Sequence, residues 1–310
     1  MGDILLDYAF SVNKITPLPA ARAAYIKQVL AIVKPLDSVS TEIVKCTSKT
    51  QTAALTANED VLELFAAGLS SVYILPANDL NNLADIIEAK LEDFFTILIS
   101  SDFTTTELSS LNKGAFKGII GYSFTDTDAA KSFTTKENQV AFYGATANKA
   151  KNMFFAFGKM LSSTFWKNQQ YVTMPYDDNI KDLNTAKTLF NDRISFALTS
   201  ATYGTRLAFF AAGQKAITSP YIIENLKLDA QSAAVSYITL NNPDYTVTDA
   251  TLLENHIQEK INAKYVDTGL VVSAKISITL VNDNFRATGT VAVPQPKALW
   301  GVDVDLIEEE

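Results

Sequence analysis

Between Val72 and Leu198, short apolar runs alternate with longer stretches of helical periodicity, and this alternation restricts the fold more than any other feature of the chain. The runs are Val72–Leu75, closed by Pro76, then Phe95–Ile99, Gly118–Tyr122, Val140–Tyr143, Tyr171–Met174, closed by Pro175, and Ile194–Leu198. Between the first two, Leu80, Leu83, Ile87 and Leu91 fall on one helical face of residues 79–93. Thr104–Leu111 opens with a Thr104/Glu107 spacing that fits a capping box. Residues 126–137, 147–165 and 178–192 complete the set, the last through Ile180, Leu183, Ala186 and Phe190. Continuous apolar strands separated by amphipathic helices predict an α/β fold, a mostly parallel sheet with flanking helices.

The flanks follow other rules. Residues 3–16 alternate loosely up to Pro17 and Pro19, as an extended arm or edge strand does, and Ala20–Val33 reads as a helix with Tyr25, Val29 and Ile32 on one face. Residues 34–58 are Thr-, Ser- and Lys-rich and fit a hairpin or a loop. The apolar region 203–217 reads as helix, and 229–240 fits helix and strand equally. From Thr248 or Asp249, a capped helix carries Leu252, Leu253, Ile257 and Ile261 on one face. Strands are expected at Val271–Val281 and Thr288–Val293, and a last one at Val302–Ile307 beyond Pro294 and Pro296. The expected organisation is an N-terminal arm and linking helix over residues 1–49, an α/β body over 50–230, and a smaller C-terminal α+β block with its terminal strand over 231–310.

Composition narrows function. A net charge of -8 with only scattered Lys and Arg argues against a nucleic-acid binder, which must release counterions with clustered cations. One cysteine and one histidine exclude a disulfide framework and leave almost nothing for a soft-ligand metal site. MGDILLDYAF lacks the cationic and apolar regions of a signal peptide, and no apolar stretch approaches the roughly 18 residues of a membrane span.

Candidate chemistry is sparse. The Gly118–Gly121 pair lies inside an expected strand and matches no dinucleotide fingerprint. Cys46 and His256 would make a thiolate pair only if the fold joined two distant segments, and a solitary thiol and a solvated helical histidine explain the same letters. Asp126/Asp128 and Asp177/Asp178 follow expected strands, where α/β enzymes keep their sites. Helix capping by Asp126 and Asp178 is the stronger reading, and an α/β enzyme with an acidic cleft is the alternative. Asp303 and Asp305 alternate with Val302, Val304 and Leu306 and belong to the solvent side of a strand. Phe154, Phe157 and Leu161 form a core face, while Phe155 and Phe165 fit core and interface equally. The residues point to no catalytic, cofactor-binding or metal site.

Two segments carry a family resemblance: residues 72–102, VYILPANDLNNLADIIEAKLEDFFTILISSD, and residues 249–307, which contain LLENHIQEKINAKYVDTGL and end in VDVDLI. The chain resembles the contractile tail sheath proteins of tailed bacteriophages and related injection machines. The resemblance implies a non-enzymatic structural subunit that stacks in rings, hexameric in that family, around a tail tube. It also implies baseplate and tail terminator proteins as partners, no nucleic acid or membrane, and a place in the virion tail after assembly in the host cytoplasm. Another tail or baseplate structural protein is the variant reading. Carried onto this sequence, the strands given to neighbours are residues 3–12, through Ile4, Leu6, Tyr8 and Phe10, and 302–307, through Val302, Val304 and Leu306. Physically, a terminal strand standing alone leaves its ladder groups unpaired, and addition to another sheet pairs them.

Overall fold

A computed structural model describes residues 6–12, 25–36, 42–80, 94–109, 116–136, 138–162, 172–178, 180–202, 204–244, 246–281 and 284–294. In chain order the strands are β1 (Leu6–Val12), β2 (Val29–Val33), β3 (Val44–Cys46), β4 (Val72–Pro76), β5 (Thr96–Ile99), β6 (Ile119–Phe124), β7 (Gln139–Tyr143), β8 (Ser195–Ser200), β9 (Gly204–Phe209), β10 (Ala211–Ala212), β11 (Lys215–Ala216), β12 (Ser273–Val281) and β13 (Asn284–Val293). The helices are α1 (Lys49–Ala53), α2 (Leu62–Ala66), α3 (Thr105–Ser109), α4 (Thr127–Thr134), α5 (Asn148–Ser162), α6 (Leu183–Asn191), α7 (Thr218–Asn241) and α8 (Val247–Ile261). They fall into two compact units, residues 27–217 and residues 218–294 with β1.

The larger unit is an eight-stranded sheet in the order β3-β4-β2-β5-β6-β7-β8-β9. The six strands from β4 to β8 run parallel, and β3 and β9 are antiparallel edges. This is the expected α/β architecture, and five of the six expected body strands are in the sheet. The central strands are buried throughout: β2, β5 and β6 have no exposed residue. A parallel strand covered on both faces has to read as an unbroken apolar run.

On one face Leu30, Ile32, Leu75, Ile97, Ile99, Ile120 and Phe196 join Phe133 of α4 and Leu189 of α6 in one core cluster. On the other, α5 packs on β6, β7 and α2. Gly121 makes the α5 contact possible, because a Cβ there would stand 2.8 Å from Leu98 and 3.0 Å from Phe157. Phe154, Phe157 and Leu161 are buried as expected, while Phe155 is half-buried beneath Lys159. Each fully buried aromatic contributes roughly 1.5–3 kcal/mol.

Three expectations fail here. Val29–Val33, placed in a helix at 20–33, is the central strand β2: its helical spacing is incidental to a continuous buried run with β-branched ends. Of residues 203–217, expected as helix, the described residues 204–217 contain β9, β10 and β11, with the chain reversed at Gly204 (φ +66°) and Gly213 (φ +54°), left-handed positions suited to glycine. Of the expected strand Tyr171–Met174, the described residues 172–174 form no ladder strand, since Thr173 alone bridges to Arg206. The expected helix at 79–93 lies outside the described residues apart from Asp79 and Leu80, as do Phe165 and Tyr171.

The smaller unit is a three-stranded antiparallel sheet, β1-β13-β12. Leu6–Val12 pairs with β13 in the register Leu6↔Val293 to Val12↔Ala287. Helix α8 packs on β12 and α7, burying Ala250, Leu253, Ile257 and Ile261 at helical spacing. Its cap lies two residues before the expected Thr248. The side chain of Thr246 accepts from the Asp249 amide, and the Asp249 carboxylate accepts from the Thr246 amide, a reciprocal capping box. The ambiguous 229–240 segment is helical, within α7.

Candidate assembly edge

The acidic residues singled out in the sequence have structural employment. Asp126 caps α4, its Oδ1 accepting from the Ala129 amide at 2.7 Å. Asp178 is not the cap of the next helix; Asp182 is, accepting from the Thr185 amide at 2.7 Å. Asp178 is instead completely buried, its carboxylate accepting from Asn152 Nδ2 at 2.7 Å and from Thr146 Oγ1 at 3.2 Å. Burial pushes its pKa up to about 6, against the opposing pull of the Asn152 and Thr146 hydrogen bonds and the Lys149 charge. Gly144 gives the carboxylate its room, since a Cβ there would lie 2.6 Å from Asp178 Oδ1. Neighbouring Asp177 accepts from Thr199 Oγ1 at 2.8 Å. Together these bonds fasten Asp177 and Asp178 to Thr146, to Asn152 of α5 and to Thr199 of β8.

The order β4-β2-β5 creates a topological switch point, the usual ligand crevice of an open α/β sheet. Lys34, just past β2, lies across it. Its ammonium group donates to Glu107 at 2.6 Å and to the Asn78 carbonyl at 2.5 Å, and stands 4.4 Å from the Phe103 ring centre. Glu107 is held down at about 2 by Lys34 and by the Thr104 amide and hydroxyl, the capping box expected for α3. The chain's own side chains thus meet at the crevice. Sequence reading missed Lys34 because it missed β2.

Cys46 is buried in the larger unit, its thiol pushed up by that burial, whereas His256 lies on α8 in the smaller unit with its ring 5.3 Å from Tyr237. Among the described residues no group of three His, Cys, Asp or Glu side chains is placed to hold a metal ion. No helix among them is long and apolar enough to cross a membrane.

The strand edges carry more information. In the large sheet the β9 edge is covered by residues 172–174, Leu207 donating to the Val172 carbonyl and Met174 to the Thr205 carbonyl, both at 2.9 Å. The opposite edge, β3, is three residues long. Such short or covered edges offer little template for another strand. In the small sheet, side chains of α8 cover β12. The Ile276 amide donates to Gln258 Oε1 at 2.9 Å, the Ile278 amide to Glu254 Oε2 at 2.8 Å, and Gln258 Nε2 to the Ala274 carbonyl at 2.9 Å.

That leaves β1, seven residues long, which among the described residues pairs with β13 alone. Antiparallel ladders alternate, so the direction of its groups follows from β12. Ile276 and Ile278 turn their amides toward α8, so their partners Gly289 and Ala287 turn theirs toward Phe10 and Val12. The N–H and C=O groups of Asp7, Ala9 and Ser11 then point away from β13. Of the residues expected in exchanged strands, Leu6, Tyr8 and Phe10 lie in β1 beside their own chain's β13. Ile4, Val302, Val304 and Leu306 lie outside the described residues, as do Asp303 and Asp305.

No family model matches the sequence, and no curated protein matches it. Solved structures do. A chain of the anti-feeding prophage baseplate, six-fold symmetrised, matches with a TM-score of 0.70 at 12% identity, over 92% of this chain and 94% of that one. A chain of the anti-feeding prophage helical sheath in its contracted state matches with a TM-score of 0.64 at 13% identity, over 91% and 93% of the two chains. The fold is that of contractile tail sheath proteins.

Proposed function

Taking the contractile tail sheath fold as premise, we propose that this chain is the structural subunit of a contractile sheath. It polymerises in stacked rings around a tail tube and is linked to its neighbours by exchanged terminal strands. Baseplate and tail terminator proteins are its further partners, and the tail particle, assembled in the host cytoplasm, is its location. The protein is not an enzyme in this reading. The observation that carries it is the small sheet, in which one edge is closed by α8 and a seven-residue strand lies at the other.

Identical chains offer identical strands, so the seat that Leu6–Val12 occupies on β13 suits the arm of another copy equally well. Residues 302–307 of a further copy would add to the outer side of β1. Burying Val302, Val304 and Leu306 is worth roughly 4–8 kcal/mol, and each ladder bond adds about 1 kcal/mol. Fixing the segment's backbone costs about 6–12 kcal/mol. A single linkage is marginal, which suits one formed only where many act together.

The higher similarity score of the baseplate chain favours a second reading, a sheath-type subunit of the ring that meets the baseplate. Negative-stain images of the concentrated protein separate the two: tubes are expected from the sheath reading, single rings from the second, and featureless particles would overturn both. Deleting residues 302–310 should leave a folded subunit with near-normal circular dichroism that forms no tubes. Normal polymerisation of the truncated chain would refute the strand-exchange linkage.

A further inference from the structure

We propose that Glu254 and Gln258 lock the β12 edge against strand addition, so that another copy of this chain is admitted at the β1 edge and refused at β12. The inference rests on the strand-exchange reading above and adds a polarity to it. A sheet with two open edges would accept strands on both sides, and two subunits could then join through β12 in antiparallel pairs with no place in a head-to-tail array.

The lock is a match of two periods. Residues four apart on a helix lie on one face about 6 Å apart, and alternate residues of a strand repeat at about 6.8 Å. One helix laid along a strand can therefore reach successive outward amides with side chains at i and i+4. Glu254 and Gln258 have this spacing and accept from Ile278 and Ile276, which have the matching one. Gln258 also donates to the Ala274 carbonyl, so its carboxamide accepts and donates to β12 as a strand residue would. A second contact, from the same Nε2 to Asn262 Oδ1 at 2.7 Å, steadies it. Both side chains follow directly after buried residues of α8, Leu253 and Ile257, whose packing fixes the helix against the sheet. An incoming strand would have to strip off these partners before it found a free amide.

The test is E254A/Q258A in the full chain, alanine being the residue that best preserves a helix. It is made in an A9P background, because proline at Ala9 removes an outward amide of β1 and spares the β1–β13 bonds. Hydrogen exchange at the Ile276 and Ile278 amides, read at dilution where the variant is monomeric, should accelerate by about tenfold or more, while Ile120 in β6 stays protected. Light scattering should show a concentration-dependent dimer that A9P alone does not form. E254Q, which keeps an acceptor, should behave as the parent protein. Unchanged exchange, or a triple variant that keeps the mass of A9P, would overturn the lock. Failure of the strand-exchange reading shows separately, as A9P alone forming tubes as readily as the unaltered protein.

Discussion

Replacing Asp178 with asparagine tests whether this buried carboxylate of the larger unit, whose pKa is raised, is structural. Its folded pKa of about 6 stands above its ordinary value of 3.8, mainly because burial disfavours the charged form. The folded state therefore holds a proton that the unfolded state has released between these two values. The resulting stability is complete below about pH 4 and is lost as the pH rises through about 6, a slope of 1.36 kcal/mol per unit that amounts to about 3 kcal/mol. Asparagine has no charge to bury. Its carbonyl can accept from Asn152 and its amide can donate to Thr146, so the local bonds survive. Urea unfolding of both proteins from about pH 4 to 7.5 gives the difference, in which the titrations of all other groups largely cancel. The parent protein should lose about 3 kcal/mol relative to D178N across that range. A difference that stays flat, or that grows in the parent's favour with rising pH, would refute the buried-carboxylate account. D178N should also form tubes as the parent does, since the residue acts within the unit and not at an edge.

Gly118→Ala should destabilise the larger unit by about 1–3 kcal/mol or more, measured by thermal or urea unfolding. Its Cβ would stand 2.3 Å from the Phe95 carbonyl oxygen, which accepts from the Ile119 amide at the start of the β5–β6 pair. Thr246→Ala removes half of the α8 capping box and should cost about 1 kcal/mol. Unfolding followed by far-UV circular dichroism would read that loss, and a cost near zero would mean that the Asp249 bonds alone hold the helix start.

Much of the larger unit was legible because its physics is local. Runs such as Phe95–Ile99 and Gly118–Tyr122 are apolar for the single reason that both faces of a parallel strand are covered. Thr104 with Glu107, and Asp126, announced their helix starts through side chains that satisfy nearby amides. The two strands read as helix share one cause: a continuous apolar run carries no period. Val29–Val33 and residues 203–217 fit helical spacing by chance, and only the surrounding sheet decides them. Missing β2 hid the strand order, and with it the switch point and Lys34.

The edges were harder still. Gln258 and Glu254 look like ordinary polar residues beside the apolar face of α8, and their bonds to Ile276 and Ile278 need β12 in place. Asp178 was visible as an acid after an expected strand. Its burial depends on Gly144, Thr146 and Asn152, which come from a different part of the chain.

The central claim is that terminal strands of other copies complete the small sheet, and a cryo-EM map of assembled particles at side-chain resolution tests it most directly. The account predicts residues 302–307 of another subunit lying along β1, bonded to the outward groups of Asp7, Ala9 and Ser11, with β12 still covered by Glu254 and Gln258. A map in which residues 302–307 pair within their own subunit, or in which subunits meet through β12, would contradict it.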